Sequence, residues 1–130
     1  MDANHTLKAL IAEDNSLMRA SLDIILKDCG VFDVLHAQDG VQAVDIFRNK
    51  KPDMVFLDIN MPRKDGLAAL KEIRELDANA YVVMVSAHSS AEFIKAAVEA
   101  GAKSFIVKPY NVKRIADVMK NYMTATSRSS

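Results

Sequence analysis

The fold of this 130-residue chain is decided by the stretch Asp53-Met54-Val55-Phe56-Leu57-Asp58-Ile59-Asn60-Met61-Pro62. Its apolar run predicts a β-strand that is buried on both faces. The run ends at Asp58, so this carboxylate lies where a strand gives way to a loop. In an open parallel α/β sheet, ligands bind just outside the carboxyl ends of the strands. By itself, an Asp at this place is more typical of a residue that opens a turn than of a reactive group. The ends of the other strands decide between the two.

Strand-like and helix-like segments alternate along the chain. Short apolar runs predict five strands, at 7–12, 32–37, 54–58, 81–85 and 104–107. After each strand, apolar residues spaced three and four apart predict a helix. This alternation predicts a doubly wound parallel α/β sheet with helices on both faces, because the third and fourth strands offer no polar side to water. We expect one domain over 1–123 and a flexible C-terminal tail over the small, polar residues 124–130.

Composition excludes several classes of function. Lys plus Arg and Asp plus Glu number 17 each, so no bulk charge favours nucleic acid or anionic lipid. Cys29 is the only cysteine, which excludes an internal disulfide and argues against a thiolate zinc site. The chain has no apolar run as long as a membrane span and no secretory signal at its start. We therefore expect a cytoplasmic protein with no direct contact with nucleic acid or membrane.

Polar side chains stand at the carboxyl ends of four predicted strands. Strand one ends at Glu13 and Asp14, strand three at Asp58, strand four at Ser86 and strand five at Lys108. In the doubly wound order 2-1-3-4-5, strands one and three are neighbours, which brings three carboxylates into one crevice. At a separation of about 4 Å and an effective dielectric constant near 20, each like-charged pair costs about 4 kcal/mol. Such a cluster must hold a cation or raise a pKa.

The chemistry of this cluster favours a magnesium ion and a phosphoryl group. Its ligands are hard oxygens without His or Cys, which favours Mg²⁺, with Mn²⁺ as a substitute, over zinc or copper. Mg²⁺ is commonly shared with a phosphate, and Ser86 and Lys108 offer that group a hydrogen-bond donor and a counter-charge. A carboxylate can accept a phosphoryl group and become an aspartyl phosphate. Asp58 is the best placed to do so.

Taken together, these motifs resemble the response-regulator receiver domains of two-component signalling. Four segments carry the resemblance, from the acidic pair through the phosphoacceptor loop and the hydroxyl position to the Lys-Pro motif: Ala12-Glu13-Asp14-Asn15, Val55 to Pro62 with Asp65-Gly66, Val85-Ser86-Ala87, and Val107-Lys108-Pro109-Tyr110. The resemblance runs from about Leu7 to Tyr122, and the four motifs in this order are highly specific. It implies a flavodoxin-like fold with five helices and the strand order 2-1-3-4-5.

The resemblance also implies how the acceptor and the metal are arranged. Asp58 would take a phosphoryl group from a phosphohistidine on a sensor histidine kinase or a histidine phosphotransfer protein. Mg²⁺ would be held by Asp14, Asp58 and the main-chain carbonyl of Asn60, while Glu13 orders the metal's waters. Asn60 and His88 stand two residues after the acceptor and the hydroxyl, the positions that tune hydrolysis of the phosphoryl group in the family.

The remaining site residues are expected to bind the phosphoryl group or respond to it. Lys108 would pair with the phosphoryl oxygens, and its bond to Pro109 would be cis, which aims the lysine inward. Ser86 and Ala87 would contact the phosphoryl group, and Phe105 would then rotate inward. The family often has Thr at the Ser86 position, and its methyl group helps to push the aromatic. The strength of this coupling is therefore expected to differ here.

The resemblance implies a signalling phosphoacceptor that catalyses only its own phosphorylation and dephosphorylation. The surface of helix four, strand five and helix five would switch and bind an unidentified protein, in a monomer or a phosphorylation-dependent dimer. One alternative is a receiver domain separated from a C-terminal DNA-binding or enzymatic output domain. A less favoured one is an Asp-nucleophile phosphohydrolase, which needs a second carboxylate where the chain has Asn60. A flavin or nucleotide carrier is disfavoured because Glu13-Asp14 would repel a phosphate and no P-loop is present.

Overall fold

The computed structural model describes residues 7–61, 64–87, 90–108 and 111–128, with side chains described to residue 125. Within these ranges five strands and five helices alternate, as the apolar pattern predicts. In chain order they are β1 (Lys8–Ala12), α1 (Ser16–Asp28), β2 (Asp33–Ala37), α2 (Gly40–Lys50), β3 (Met54–Asp58), α3 (Gly66–Leu76), β4 (Tyr81–Ser86), α4 (Ala91–Glu99), β5 (Ser104–Val107) and α5 (Val112–Arg128).

The strands form one parallel sheet in the order β2-β1-β3-β4-β5. The predicted doubly wound, flavodoxin-like architecture is therefore confirmed. In the register of the sheet, Ala12 pairs with Leu57, and Asp58 pairs with Val85. The carboxyl ends of β1, β3 and β4 consequently meet at one edge. The winding direction reverses between β1 and β3, which is where ligands bind in open sheets of this type.

The sheet separates two apolar layers. All five residues of β3 are buried, and successive side chains point to opposite faces. Val55 and Leu57 pack in a layer with residues of α2, α3 and α4, whereas Met54 and Phe56 pack in a layer with residues of α1 and α5. Burial on both faces fixes the position of β3, and therefore the position of the main chain of Asp58 at its end.

The C-terminal helix extends beyond its buried face. Helix α5 continues to Arg128, so the predicted tail 124–130 begins inside the helix. The physical reason is that residues 112–128 contain neither Gly nor Pro, so nothing stops the helix after Tyr122, the last buried residue among its described side chains. The division of the chain at residue 123, and the flexibility of 124–130, stay predictions.

Candidate functional site

Three carboxylates from two neighbouring strands meet at the carboxyl edge of the sheet. Glu13 and Asp14 follow β1, and Asp58 is the last residue of β3. One carboxylate oxygen from each lies within 4.8 Å of the other two. Glu13 and Asp58 are buried, at 1% and 3% exposure, whereas Asp14 is exposed. The strand order explains this cluster, because β1 and β3 are adjacent and end at the same level.

Lys108 brings a positive charge to the buried pair of carboxylates from the end of β5. Its Nζ lies 2.5 Å from Glu13 Oε1 and 3.0 Å from Asp58 Oδ2. Burial by itself would lower the pKa of Lys108, but the hydrogen bonds and charges of Glu13 and Asp58 outweigh burial and raise this pKa above 10.5. Lys108 is therefore a cation that bridges the two carboxylates.

Ser86 belongs to β4, which lies on the opposite side of β3 from β1 and its acidic pair. Ser86 ends β4, is 1% exposed, and is followed by the exposed Ala87. Phe105 on β5 pairs with Met84, two residues before Ser86, so the side chains of Phe105 and Ser86 leave the sheet on the same face. Phe105 is half-buried and packs against the layer formed with α2, α3 and α4.

The loop after β3 keeps Asn60 beside the acceptor candidate. The main-chain N–H of Asn60 donates to Asp58 Oδ1 at 3.2 Å. Two main-chain hydrogen bonds hold the start of this loop. Ile59 N donates to Val85 O on β4 at 3.0 Å, and Gly66 N, at the start of α3, donates to Ile59 O at 2.8 Å. The predictions for His88 and for a cis bond before Pro109 concern residues outside the described ranges.

Two further residues shape this edge: the sequence did not single out Arg19, and it offered Gly66 only as part of the phosphoacceptor-loop motif. Arg19 on α1 donates from Nη1 to the carbonyl oxygen of Glu13 at 2.7 Å. Gly66 lies so close to the β3–α3 loop that a Cβ atom there would come within 2.7 Å of Ile59 Cα. The sequence feature that could have indicated Arg19 is its place near the N-terminus of a helix. The helix dipole there favours anions and disfavours a cation, so an arginine at this place indicates a compensating contact with an acceptor outside the helix.

The donor set fits a divalent cation. Three carboxylates carry a charge of −3, and Lys108 contributes +1, which leaves −2 at the sheet edge. All the side-chain ligands are oxygens, as Mg²⁺ requires. A divalent cation would bring this sum to zero, so the site would no longer repel the oxygens of a phosphoryl group. This arrangement suits phosphoryl transfer, in which positioning and charge neutralisation provide most of the catalysis.

Comparison with known proteins agrees with this chemistry. The sequence pattern of the response regulator receiver domain family matches residues 9–120. The chemotaxis protein CheY of Bacillus subtilis (strain 168) is 40% identical over 112 residues, covering 86% of this chain and 93% of that protein. The transcriptional regulatory protein PdtaR of Mycobacterium tuberculosis (strain CDC 1551 / Oshkosh) is 37% identical over 127 residues, covering 98% of this chain but 60% of that protein.

A solved structure shares both the fold and part of the sequence. A chain of the crystal structure of the CheX-CheY-BeF3-Mg+2 complex from Borrelia burgdorferi superimposes with a TM-score of 0.86 at 34% identity. The similarity covers 90% of this chain and 89% of that one. Since the family pattern spans residues 9–120 and CheY of Bacillus subtilis is 40% identical over 93% of its length, the chain belongs to the family of response-regulator receiver domains, the phosphoacceptor modules of two-component signalling.

Proposed function

We propose that this receiver accepts a phosphoryl group on Asp58 from a phosphohistidine of a sensor histidine kinase or a histidine phosphotransfer protein. The observation that carries the proposal is the convergence of Glu13, Asp14 and Asp58 with Lys108 at one sheet edge. In the reaction, the P–N bond of the phosphohistidine breaks as a carboxylate oxygen of Asp58 bonds to phosphorus. The released imidazole keeps the electron pair and takes up a proton.

Asp58 is the carboxylate that the geometry favours as acceptor. Its strand lies between β1, which supplies the acidic pair, and β4, which supplies Ser86. Groups on both sides can therefore reach a phosphorus atom bound to Asp58. Glu13 is less suited, because it follows β1, which β3 separates from β4 and Ser86. Asp14 is exposed and stands apart from the hydroxyl side of the site.

The other site residues divide into metal ligands and phosphoryl ligands. Asp14, Asp58 and the main-chain carbonyl of Asn60 would hold Mg²⁺, with Glu13 ordering its waters; the metal supplies charge neutralisation at the phosphoryl oxygens. On the other side, Lys108, Ser86 and Ala87 would bind those oxygens. This division follows the family resemblance, and it agrees with the strand order, since Glu13 and Asp14 follow β1 whereas Ser86 and Lys108 stand at the ends of β4 and β5.

Three further residues complete the proposal. Phe105 would rotate inward on phosphorylation, on the face that it shares with Ser86. Asn60 and His88 would tune hydrolysis of the phosphoryl group, and a cis bond before Pro109 would aim Lys108. The receiver would catalyse its own phosphorylation and dephosphorylation only. A steady phosphohydrolase is not favoured because Asn60 stands where a second carboxylate is needed.

We propose that the receiver signals through the surface of α4, β5 and α5 to a downstream protein in the cytoplasm. Each of these elements exposes an apolar side chain, with Val98 60%, Val107 43% and Val112 59% exposed. Exposed apolar side chains on adjoining elements favour contact with a protein, in a monomer or in a phosphorylation-dependent dimer. Among the described residues no helix has the length and apolarity needed to span a membrane.

The second candidate is a receiver that works within a longer regulator. PdtaR supports it, because the matched part makes up only 60% of that protein. In that case α5 would lead into a linker, and the same surface would contact an attached DNA-binding or enzymatic domain. Both candidates need the same phosphoacceptor chemistry at Asp58.

Incubation with acetyl phosphate and Mg²⁺, followed by intact mass measurement, tests the proposed chemistry. We expect a phosphoryl adduct on the wild type, none on Asp58→Ala, and none on the wild type in EDTA. Asp53→Ala serves as the matched control, because Asp53 begins the same segment but accepts from Lys8 N at the opposite end of β3. An adduct of equal yield on Asp58→Ala would refute the assignment of the acceptor.

A further inference from the structure

Glu13 is held at every one of its polar atoms. Its amide donates to Ala37 O at 3.0 Å. Its carboxylate oxygens contact Lys108 Nζ and Asn15 N, at 2.5 Å and 3.1 Å. Its carbonyl oxygen accepts from Arg19 Nη1 at 2.7 Å. Arg19 is half-buried and lies on the first part of α1, so its side chain reaches back along the chain to the end of β1.

The adjacent Asp14 is held quite differently. Its side chain is exposed, and it makes no hydrogen bond or ion pair among the residues that the structure describes. The position of its carboxylate therefore depends on its main chain. The peptide unit that joins Glu13 to Asp14 contains the carbonyl group that Arg19 binds. Charge-assisted hydrogen bonds of this kind are about twice as strong as neutral ones.

We propose that Arg19 is a positioning residue of the divalent-cation site, which fixes the Glu13–Asp14 peptide plane and thereby aims the Asp14 carboxylate at the metal. This inference depends on the proposed function only in taking Glu13, Asp14 and Asp58 as the metal site. Arg19 would not contact the metal itself, because it acts on the main chain that carries the Asp14 ligand. Partners that orient metal ligands typically change metal affinity by 10–100-fold when they are removed.

The sign of the effect separates positioning from simple electrostatics. Arg19 is a cation close to a cation site, so loss of its charge alone would strengthen binding of Mg²⁺. Loss of its hydrogen bond would weaken binding, because the Asp14 carboxylate would no longer be held toward Asp58. Weaker binding after neutralisation of Arg19 therefore cannot arise from the change in charge.

The experiment measures the Mg²⁺ dissociation constant by titration calorimetry on the whole chain. For Arg19→Met we expect binding about tenfold weaker than that of the wild type. Arg19→Lys keeps one donor and the charge, and should bind within about threefold of the wild type. Arg48→Met is the matched control, because Arg48 lies on α2 and pairs with Asp45 at 3.0 Å, so the same charge is removed without touching the sheet edge. Its affinity for Mg²⁺ should be unchanged.

Two further measurements exclude a merely structural role. The melting temperature in EDTA should stay well above the temperature of the titration for all three variants, so that Mg²⁺ binding is measured on the folded protein. The rate of phosphorylation by acetyl phosphate should return to within about threefold of the wild-type rate when Mg²⁺ is saturating, because positioning acts on the occupancy of the site. Should Arg19→Met fail to fold, Arg19→Gln carries the same expectation.

Each outcome bears on one claim. Wild-type affinity in Arg19→Met, or equal weakening in Arg19→Lys and Arg19→Met, would overturn the role of Arg19 while the proposed function stands. A wild-type protein that binds no Mg²⁺ would instead overturn the proposed metal site. A tenfold loss in Arg19→Met that Arg19→Lys restores would establish Arg19 as the positioning residue.

Discussion

Lys108 supplies a counter-charge to two buried carboxylates. Its Nζ contacts both Glu13 and Asp58, and its side chain is only 15% exposed. Removal of the ammonium would leave two buried charges without this partner, which costs about 3 kcal/mol in comparable buried pairs. We expect Lys108→Met to lower the free energy of unfolding by about that amount in EDTA. Saturating Mg²⁺ should reduce the loss to below about 1 kcal/mol, because the metal then supplies the counter-charge.

Urea unfolding of the wild type and of Lys108→Met, each in EDTA and in Mg²⁺, checks this prediction. Lys95→Met is the control, because Lys95 is 76% exposed and its Nζ lies 4.0 Å from Glu99 Oε1. Pairs of that kind contribute less than about 1 kcal/mol. A loss of stability in Lys108→Met that Mg²⁺ leaves unchanged would show that Lys108 does not balance the metal ligands.

At the scale of residues, the sequence predicts which side chains share the site but not what holds them. Asp58, Ser86 and Lys108 end three strands, and strand ends meet at one edge of a parallel sheet whatever the details of packing. The hydrogen bond from Arg19 to the carbonyl of Glu13 depends on the path of one loop and on one rotamer. Neither the path of the loop nor the rotamer of Arg19 follows from a sequence pattern, so the sequence alone does not predict this hydrogen bond.

At the scale of elements, the β3–α3 loop depends on a close approach at Gly66. A Cβ atom at this position would overlap the carbonyl oxygen of Asp58 and lie 2.7 Å from Ile59 Cα. We expect Gly66→Ala to push the loop away from the sheet edge and to cost about 2 kcal/mol, the usual cost of overpacking. Since the loop carries Asn60, Mg²⁺ affinity should fall as well, and calorimetric titration together with urea unfolding measures both effects.

Gly30→Ala is the control for Gly66→Ala, because it should lower the stability of the fold without changing the Mg²⁺ site. Gly30 follows α1 at φ +94°, with nothing within 4 Å of an added Cβ, so its replacement costs about 1 kcal/mol through backbone conformation alone. We expect Gly30→Ala to be less stable but to bind Mg²⁺ with wild-type affinity. If Gly66→Ala also kept wild-type affinity, the loop would not position the metal ligands.

Local patterns predict the elements better than they predict how the elements are arranged. Alternating strands and helices indicate a parallel sheet, and the observed bounds of β5 are those expected from its apolar run. The order 2-1-3-4-5 came from resemblance to a family, because the alternation is the same for any parallel order. The continuation of α5 to Arg128 has another cause: polar composition favours exposure, but it does not stop a helix that lacks Gly and Pro.

At the scale of the whole molecule, positive and negative charges are equal in number but are not evenly distributed between the surface and the interior. Lys plus Arg and Asp plus Glu number 17 each, yet the carboxylates of Glu13, Asp39 and Asp58 are among the few buried charged groups of the described residues. Small domains of this size usually unfold cooperatively. A local ionic contact therefore contributes to the stability of the whole fold, and its titration can be observed in global unfolding.

Asp23 provides such a contact between the helical layer and the edge of the sheet. It lies on α1, where Lys27 Nζ is 2.9 Å from Oδ1, and His36 Nε2 on β2 is 2.6 Å from Oδ2. Burial tends to raise the pKa of Asp23, but the hydrogen bonds and charges of Lys27 and His36 outweigh burial and hold this pKa below 3.8. The folded protein thus binds this proton less tightly than the unfolded chain does.

The stabilisation from Asp23 should therefore be complete above pH 3.8 and disappear as the pH falls through the lowered folded pKa. We expect Asp23→Asn to be about 1 kcal/mol less stable than the wild type at pH 7, with the difference shrinking as the pH is lowered past this range. Urea unfolding at a series of pH values measures this difference. Asp45→Asn, which removes an exposed pair with Arg48 on α2, should change stability by less than about 0.5 kcal/mol at pH 7. A difference between Asp23→Asn and the wild type that stays constant down to acid pH would mean that Asp23 stabilises the fold through packing and not through its charge.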